Sequence, residues 1–180
     1  KTVRVKNLST GEEYTEAYDK LILSPGANAF VPQLPGMENA NIFVVKNVVD
    51  IAKLYEFVHS GNVKKVTVVG GGFIGVETAE NLVEAGYEVS LVEAMPQILR
   101  IFDYDMVQIL HKEMMEKGVN LILNDQVVAC EGSNLKLASG KVVEGDAVVM
   151  AIGVRADSKL AKDAGLELNE RGAIKVDANY

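Results

Sequence analysis

A chain of 180 residues, 48% hydrophobic and 24% charged, can bury one core or one core and part of another, and is neither disordered nor collagen-like. Its 18 Lys and Arg against 25 Asp and Glu leave a net charge of −7, which opposes a nucleic-acid surface, while one Cys and two His exclude an internal disulfide framework and a transition-metal cluster. The longest apolar run, Ala147 to Ile152, is far short of the roughly 20 residues that span a bilayer, so no membrane partner is expected.

Lys1 to Val5 reads as a strand under way rather than as a leader peptide, and the expected location is the cytoplasm. Thr2 to Leu8 alternates, Ser9-Thr10-Gly11 signals a turn, and Glu12 to Tyr18 can return as the second arm of a hairpin. Leu21-Ile22-Leu23 reads as a buried strand entering the tight loop Ser24-Pro25-Gly26, and Ala27 to Glu38, with Pro32, Pro35 and Gly36, as an irregular connection. Asn47 to Ser60 has helical spacing with Asn47 as its N-cap.

Lys65 to Val69 is β-branched and runs into Gly70-Gly71-Gly72-Phe73-Ile74-Gly75; a helix follows over Val76 to Ala85, and a second strand over Glu88 to Val92 ends in Glu93. That is a βαβ unit with parallel strands. A helix is expected over Asp103 to Lys117, with Met106, Leu110 and Met114 on its apolar face, then a strand over Val119 to Leu123. Short strands at Gln126 to Cys130, Asn134 to Ala138 and Lys141 to Val143 suggest an antiparallel meander. Ala147 to Ile152 is a fully apolar strand before Gly153, Ser158 to Ala164 a short helix, and Ile174-Lys175-Val176 a last short strand.

The glycines point to an adenine dinucleotide. A diphosphate needs donors without bulk: Gly70 permits the tight turn, Gly72 lets backbone approach the phosphate, and Gly75 lets the helix pack on the strand, with the helix N-terminus offering free N–H groups. Glu93, 18 positions after Gly75, stands where a carboxylate accepts from both ribose hydroxyls and repels a 2′-phosphate. The expected nucleotide is therefore NAD(H) rather than NADP(H), with Arg100, seven residues on, the nearest cation. Glu77 has two readings: a carboxylate favoured by the dipole in the first helical turn, which leads, or a polar contact to the nicotinamide end. His59 and His111 read as surface histidines, and Cys130 as a small core residue.

In order along the chain, Tyr18 to Gly26, Gly70 to Glu77, Ala151 to Arg155, Ala164-Gly165-Leu166 and Gly172 to Asp177 resemble the flavin- and NAD-dependent disulfide reductase superfamily. Within it the chain is similar to the CoA-disulfide reductase, persulfide reductase and NADH oxidase group, and Ser24-Pro25-Gly26 leans to the CoA-disulfide reductase side. The resemblance implies an α/β fold: a Rossmann-like parallel sheet with an antiparallel β-meander, flanked by partial FAD-domain strands. It divides the chain into a partial FAD-domain segment at 1–30, a connection and helix at 31–60, an NAD-binding domain at 61–152 and a partial return into the FAD domain at 153–180. It places Gly153 over the nicotinamide side of the cleft, Ile74 under the dinucleotide, and Ser24, Pro25 and Gly26 against FAD. Phe73 is either an aromatic lid over the flavin or ordinary packing at the sheet edge.

The resemblance further implies hydride transfer from NADH to FAD and onward to a disulfide, persulfide or oxygen or peroxide acceptor, in a homodimeric parent. The family's own FAD-binding glycine unit and redox cysteine do not precede Lys1, and its later Gly-Asp segment and dimerisation domain do not follow; an excised middle is the expectation. No catalytic acid, base or nucleophile stands out in the chain. A free-standing NAD-binding sensor or structural module is the alternative, and a flavin-free dehydrogenase would need a second domain carrying a base.

Overall fold

Alternation along each strand decides which layer of the structure a residue enters. The computed structural model describes residues 1–178. Its strands are β1 (Thr2–Lys6), β2 (Glu13–Ala17), β3 (Ala27–Ala29), β4 (Ile42–Val44), β5 (Lys65–Val69), β6 (Glu88–Val92), β7 (Asn120–Ile122), β8 (Val127–Glu131), β9 (Asn134–Leu137), β10 (Val142–Val143), β11 (Ala147–Met150) and β12 (Val154–Ala156). The helices are α1 (Val48–Val58), α2 (Phe73–Glu84), α3 (Tyr104–Glu116) and α4 (Lys159–Asp163). They form two compact units, Ala27–Arg155 and a smaller one of Lys1–Gly26 with the chain from Ala156 onward.

The larger unit is built on a parallel five-stranded sheet in the order β4-β11-β5-β6-β7. In register across it lie Phe43, Val149, Val68, Leu91 and Leu121, and this row packs with Leu54, Ala79, Leu82, Val107 and Met114 of the helices. The next row, Val44, Met150, Val69, Val92 and Ile122, faces the other way onto Leu135, Leu137 and Val143 of the antiparallel meander β8-β9-β10. Helices cover one face and the meander the other, which is why β11 is apolar throughout and β5 apolar apart from Lys65 and Thr67. Each fully buried Val or Leu contributes about 1.5–3 kcal/mol, and Val68, Leu91, Val148 and Val149 are all at 0% exposure. Cys130 is buried in the meander, and that burial pushes its thiol up.

Local chemistry sets the element ends. Asn47 caps α1 by accepting from the N–H groups of Val49 and Asp50, while the Asp50 carboxylate accepts from the Asn47 N–H, a reciprocal box. Gly86 and Gly118, both at positive φ, follow α2 and α3. Among the described residues no helix is long and apolar enough to cross a membrane.

Four expectations are corrected. β3 lies inside the Ala27 to Glu38 stretch read as irregular, and β4 inside the 31–60 connection and helix; each is three residues pairing with a strand more than a hundred positions away, β12 and β11, and leaves no periodic trace. Leu21–Leu23 forms no strand: it finds no partner strand among the described residues, and Leu21 and Ile22 stay exposed. α3 buries Val107, His111 and Met114, so its stripe is turned by one residue; Met106 is exposed and His111 is a core residue, not a surface one. Ile174 makes only an isolated bridge to Leu168, so Ile174–Val176 is not a strand.

In the smaller unit the expected hairpin forms, β1 against β2 with Val5 opposite Tyr14. Gly26, at φ 76, accepts from the Asp157 N–H, and Ala161 of α4 is fully buried.

Candidate functional site

β5, β6 and β11 end side by side, and their carboxyl ends open on a cavity of about 550 Å³. The chain leaves β5 toward β6 on one side while β11 returns on the other, so the cavity stands at the crossover point where open parallel sheets hold ligands. Gly70, Gly71, Gly72, Glu93, Met95, Arg100, Asp125 and Gly153 are among the residues lining it.

The glycines of the loop differ in what requires them. Gly70 sits at φ 108 and a Cβ there would meet the Ala151 carbonyl oxygen at 2.6 Å. At Gly75 a Cβ would lie 1.9 Å from the Gly70 oxygen, so this glycine sets how closely α2 approaches the end of β5. A Cβ on Gly71 would strike the Ile98 side chain at 2.6 Å. Gly72 is unlike these: its φ is −78, open to any residue, and a Cβ there meets no protein atom within 4 Å. Neither backbone nor packing demands a glycine at 72. Beyond the modest preference of a helix N-cap for glycine over alanine, only something approaching from the cavity would.

Gly72 is also the N-cap of α2, and no side chain caps that end. The N-terminus of a three-turn helix therefore offers donors and partial positive charge at the cavity rim. No acidic residue stands in its first turn, so Glu77 lies beyond the reach of the dipole role expected for it.

Glu93 is half-buried at the end of β6, its carboxylate turned to the loop. One oxygen accepts from the Gly71 N–H at 2.6 Å and the other from the Met95 N–H at 2.8 Å. The residue read from sequence as a ribose acceptor thus also fastens the glycine loop, with further lone pairs on each oxygen. Arg100, exposed, lines the same cavity.

Asp125 was not singled out by sequence. It accepts from the Ser139 hydroxyl at 2.5 Å and from the Ser139 and Gln126 N–H groups, and the Ser139 hydroxyl above all holds its carboxyl below the usual range. Its own N–H donates to the Glu93 carbonyl at 3.3 Å, tying the turn after β7 to the one after β6. The signal available in the sequence was the turn-forming pair Asn124-Asp125, and in the structure Asn124 takes φ 56, a region its residue type tolerates.

The cavity gathers Gly70, Gly72, Glu93 and Gly153, the last at φ 109 and accepting from the Phe30 N–H at 2.9 Å. It does not gather the rest. Gly75 is buried behind it; Phe73 is half-exposed with its ring edge-on to Phe102 at 6.1 Å, and Ile74 is exposed at the start of α2. Glu77 faces a separate groove between α1 and α2 beside Tyr55 and His59. Ser24, Pro25 and Gly26 are exposed residues of the smaller unit.

Comparison with known proteins follows this geometry. Over 179 residues the chain is 34% identical to a Coenzyme A disulfide reductase of Staphylococcus aureus, covering 99% of this chain and 40% of that protein. The crystal structure of reduced Bacillus anthracis CoADR-RHD superposes with a TM-score of 0.94 at 45% identity, over 98% of this chain and 32% of that one. The water-forming NADH oxidase of Lactobacillus brevis, solved bound to NADH, gives a TM-score of 0.89 at 30% identity over 98% of this chain and 39% of that one. The chain thus spans about two fifths of the length of the curated relatives it matches. The sequence model of the pyridine nucleotide-disulphide oxidoreductases matches residues 1–180, and this chain belongs to that family.

Proposed function

We propose that this chain is the NADH-binding part of an FAD-dependent oxidoreductase that passes hydride from NADH to FAD and on to a disulfide, persulfide or oxygen or peroxide acceptor, in the manner of a CoA-disulfide reductase. Its relatives support the class: one is a Coenzyme A disulfide reductase, another an NADH oxidase solved with NADH. The observation that carries the reading is Gly72, a glycine the protein itself does not need, facing open cavity at a helix N-terminus.

When bound, the nicotinamide supplies the hydride that a flavin accepts. The chain binds and orients. The Gly72 backbone and the first N–H groups of α2 hold the diphosphate. Glu93, pinned by Gly71 and Met95, presents its remaining lone pairs to the ribose hydroxyls and disfavours a 2′-phosphate. Gly153, without a side chain at the far lip, leaves room for the nicotinamide, and Ser24, Pro25 and Gly26 line the flavin side in the assembled enzyme. Ile74 and Phe73 flank the dinucleotide at the start of α2. The parent enzyme is a homodimer in the cytoplasm.

Calorimetric titration of the chain with NADH and NADPH tests this. Saturable NADH binding of modest affinity, with NADPH weaker and no retained flavin, is expected. Absence of NADH binding, or a clear preference for NADPH, overturns it.

A further inference from the structure

α3 carries a buried histidine that the nucleotide reading does not use. His111 projects from α3 into the core at 5% exposure. Its Nε2 accepts from the Ile98 N–H at 3.3 Å, and its Nδ1 is 3.3 Å from the Gln108 side-chain oxygen one turn earlier. A backbone N–H only donates, so Nε2 carries the lone pair and Nδ1 the proton, which it gives to Gln108. The contacts specify one neutral tautomer. A protonated ring would set N–H against N–H.

What Ile98 holds explains why this matters. Ile98 is fully buried, and its side chain fills the space that a Cβ on Gly71 would take. The next residue, Leu99, is at φ 44, a left-handed conformation that costs a non-glycine residue energy and persists where neighbours over-determine it. Leu99 in turn donates its N–H to the Gly71 carbonyl at 2.7 Å. The segment from Met95 to Leu99 is therefore fastened at Met95 by Glu93, at Ile98 by His111 and at Leu99 by Gly71, and it forms the wall on which the glycine loop rests.

We propose that His111 is a positioning residue for the nucleotide site: its neutral ring holds the Ile98 N–H, thereby fixes the glycine loop, and weakens nucleotide binding when it takes up a proton. The proposal rests on the nucleotide reading given above. Burial keeps the ring below the ordinary histidine range, so the change falls on the acid side of about pH 6.5. The charged groups around it are otherwise engaged or exposed. On α3, Lys112 pairs with Glu116 and Glu113 with Lys117, while Asp105 and, at the helix start, Asp103 are exposed. In the preceding segment Arg100 is exposed, and on the sheet Glu93 is bound to Gly71 and Met95. Among the described residues none forms an ion pair with the ring.

Two substitutions and two readouts test this in the full chain. His111→Gln supplies an amide oxygen near the Nε2 position that does not titrate, and His111→Leu removes the acceptor. Affinity for NAD+, which survives acid, is titrated by calorimetry from pH 8 to pH 5, and protection of the Ile98 and Leu99 amides is followed by hydrogen exchange without ligand. The wild type is expected to lose affinity and Ile98 protection together as the pH falls. His111→Gln is expected to show neither pH dependence, and His111→Leu to bind about tenfold more weakly even at pH 8, the effect of one lost buried hydrogen bond. A His111→Gln chain that keeps the wild-type pH dependence overturns the proposal, and so does a folded His111→Leu chain that binds as the wild type does. If His111→Leu does not fold, His111→Gln decides. A wild type that binds no NAD+ at pH 8 overturns the nucleotide reading and this inference with it. Normal NAD+ binding with pH-independent Ile98 protection overturns the inference alone.

Discussion

Gly72→Ala and Gly75→Ala separate a glycine kept for a ligand from one kept for the fold. At 72 the backbone suits alanine, and the added methyl meets no protein atom within 4 Å. Restricting the unfolded chain stabilises by about 0.4–1 kcal/mol, and the poorer N-cap costs a similar amount. Stability should stay within about 0.5 kcal/mol of the wild type. At 75 the methyl would sit 1.9 Å from the Gly70 carbonyl, where real contacts under 3.0 Å essentially do not occur. α2 and the end of β5 must then separate by about 1 Å, an overpacking that costs about 1–3 kcal/mol or more. Urea denaturation reads both. NADH titration then divides them further: Gly72→Ala, though fully stable, should bind at least about tenfold more weakly, or about 1.4 kcal/mol, because its methyl occupies the approach to the helix N-terminus. A stable Gly72→Ala that binds NADH like the wild type would refute the reasoning, since glycine at 72 would then serve only as an N-cap.

Glu93→Arg should raise the NADPH-to-NADH affinity ratio by competitive titration; because it also removes the acceptor for the Gly71 and Met95 N–H groups, it should lower the melting temperature, and an unchanged ratio would sink the ribose assignment. Ser139→Ala removes the hydroxyl that most depresses the Asp125 carboxyl. A depressed carboxyl contributes stability that is fully present above its unfolded value near pH 4 and lost as the pH falls through its folded value. The wild type's advantage over Ser139→Ala should therefore be fully present at pH 7 and shrink as the pH falls below about 4 in urea titrations, and an advantage independent of pH would contradict this. Thr67 is buried in β5 with no partner for its hydroxyl among the described residues. Thr67→Val should raise stability by about 1 kcal/mol, and a clear loss would point to an unseen partner.

The sequence carried the β5-α2-β6 unit openly because three independent signals coincide there: a β-branched run, glycines at fixed spacing and a helix stopped by Gly86. The meander was legible from its turns at Gly132 and Gly140, both at positive φ. What stayed hidden depends on partners remote in sequence. β4 is a strand only because β11 lies beside it. Leu21–Leu23 has the composition of a strand and, among the described residues, no neighbour to make it one. His111 looked like a surface residue because an imidazole is polar, and only Ile98, thirteen positions earlier, supplies the N–H that satisfies it in the core. Spacing singles out Glu93, but its hydrogen bond to Gly71 is visible only when the loop is folded against it. Glu77 stood close in sequence to the glycines, but α2 carries it round to the groove by α1, where nearness along the chain no longer means nearness to the cavity.

The central claim, a dinucleotide across the carboxyl edge of the sheet with its diphosphate at Gly72, is tested most directly by following backbone amide resonances of the chain during titration with NADH. Saturable shifts confined to Gly70–Gly75, Glu93–Met95 and Gly153, with Tyr55, Thr78 and Asn81 of the α1–α2 groove unmoved, are the predicted result. Saturating NADH that leaves the glycine loop unshifted, or that perturbs the groove instead, would contradict the account.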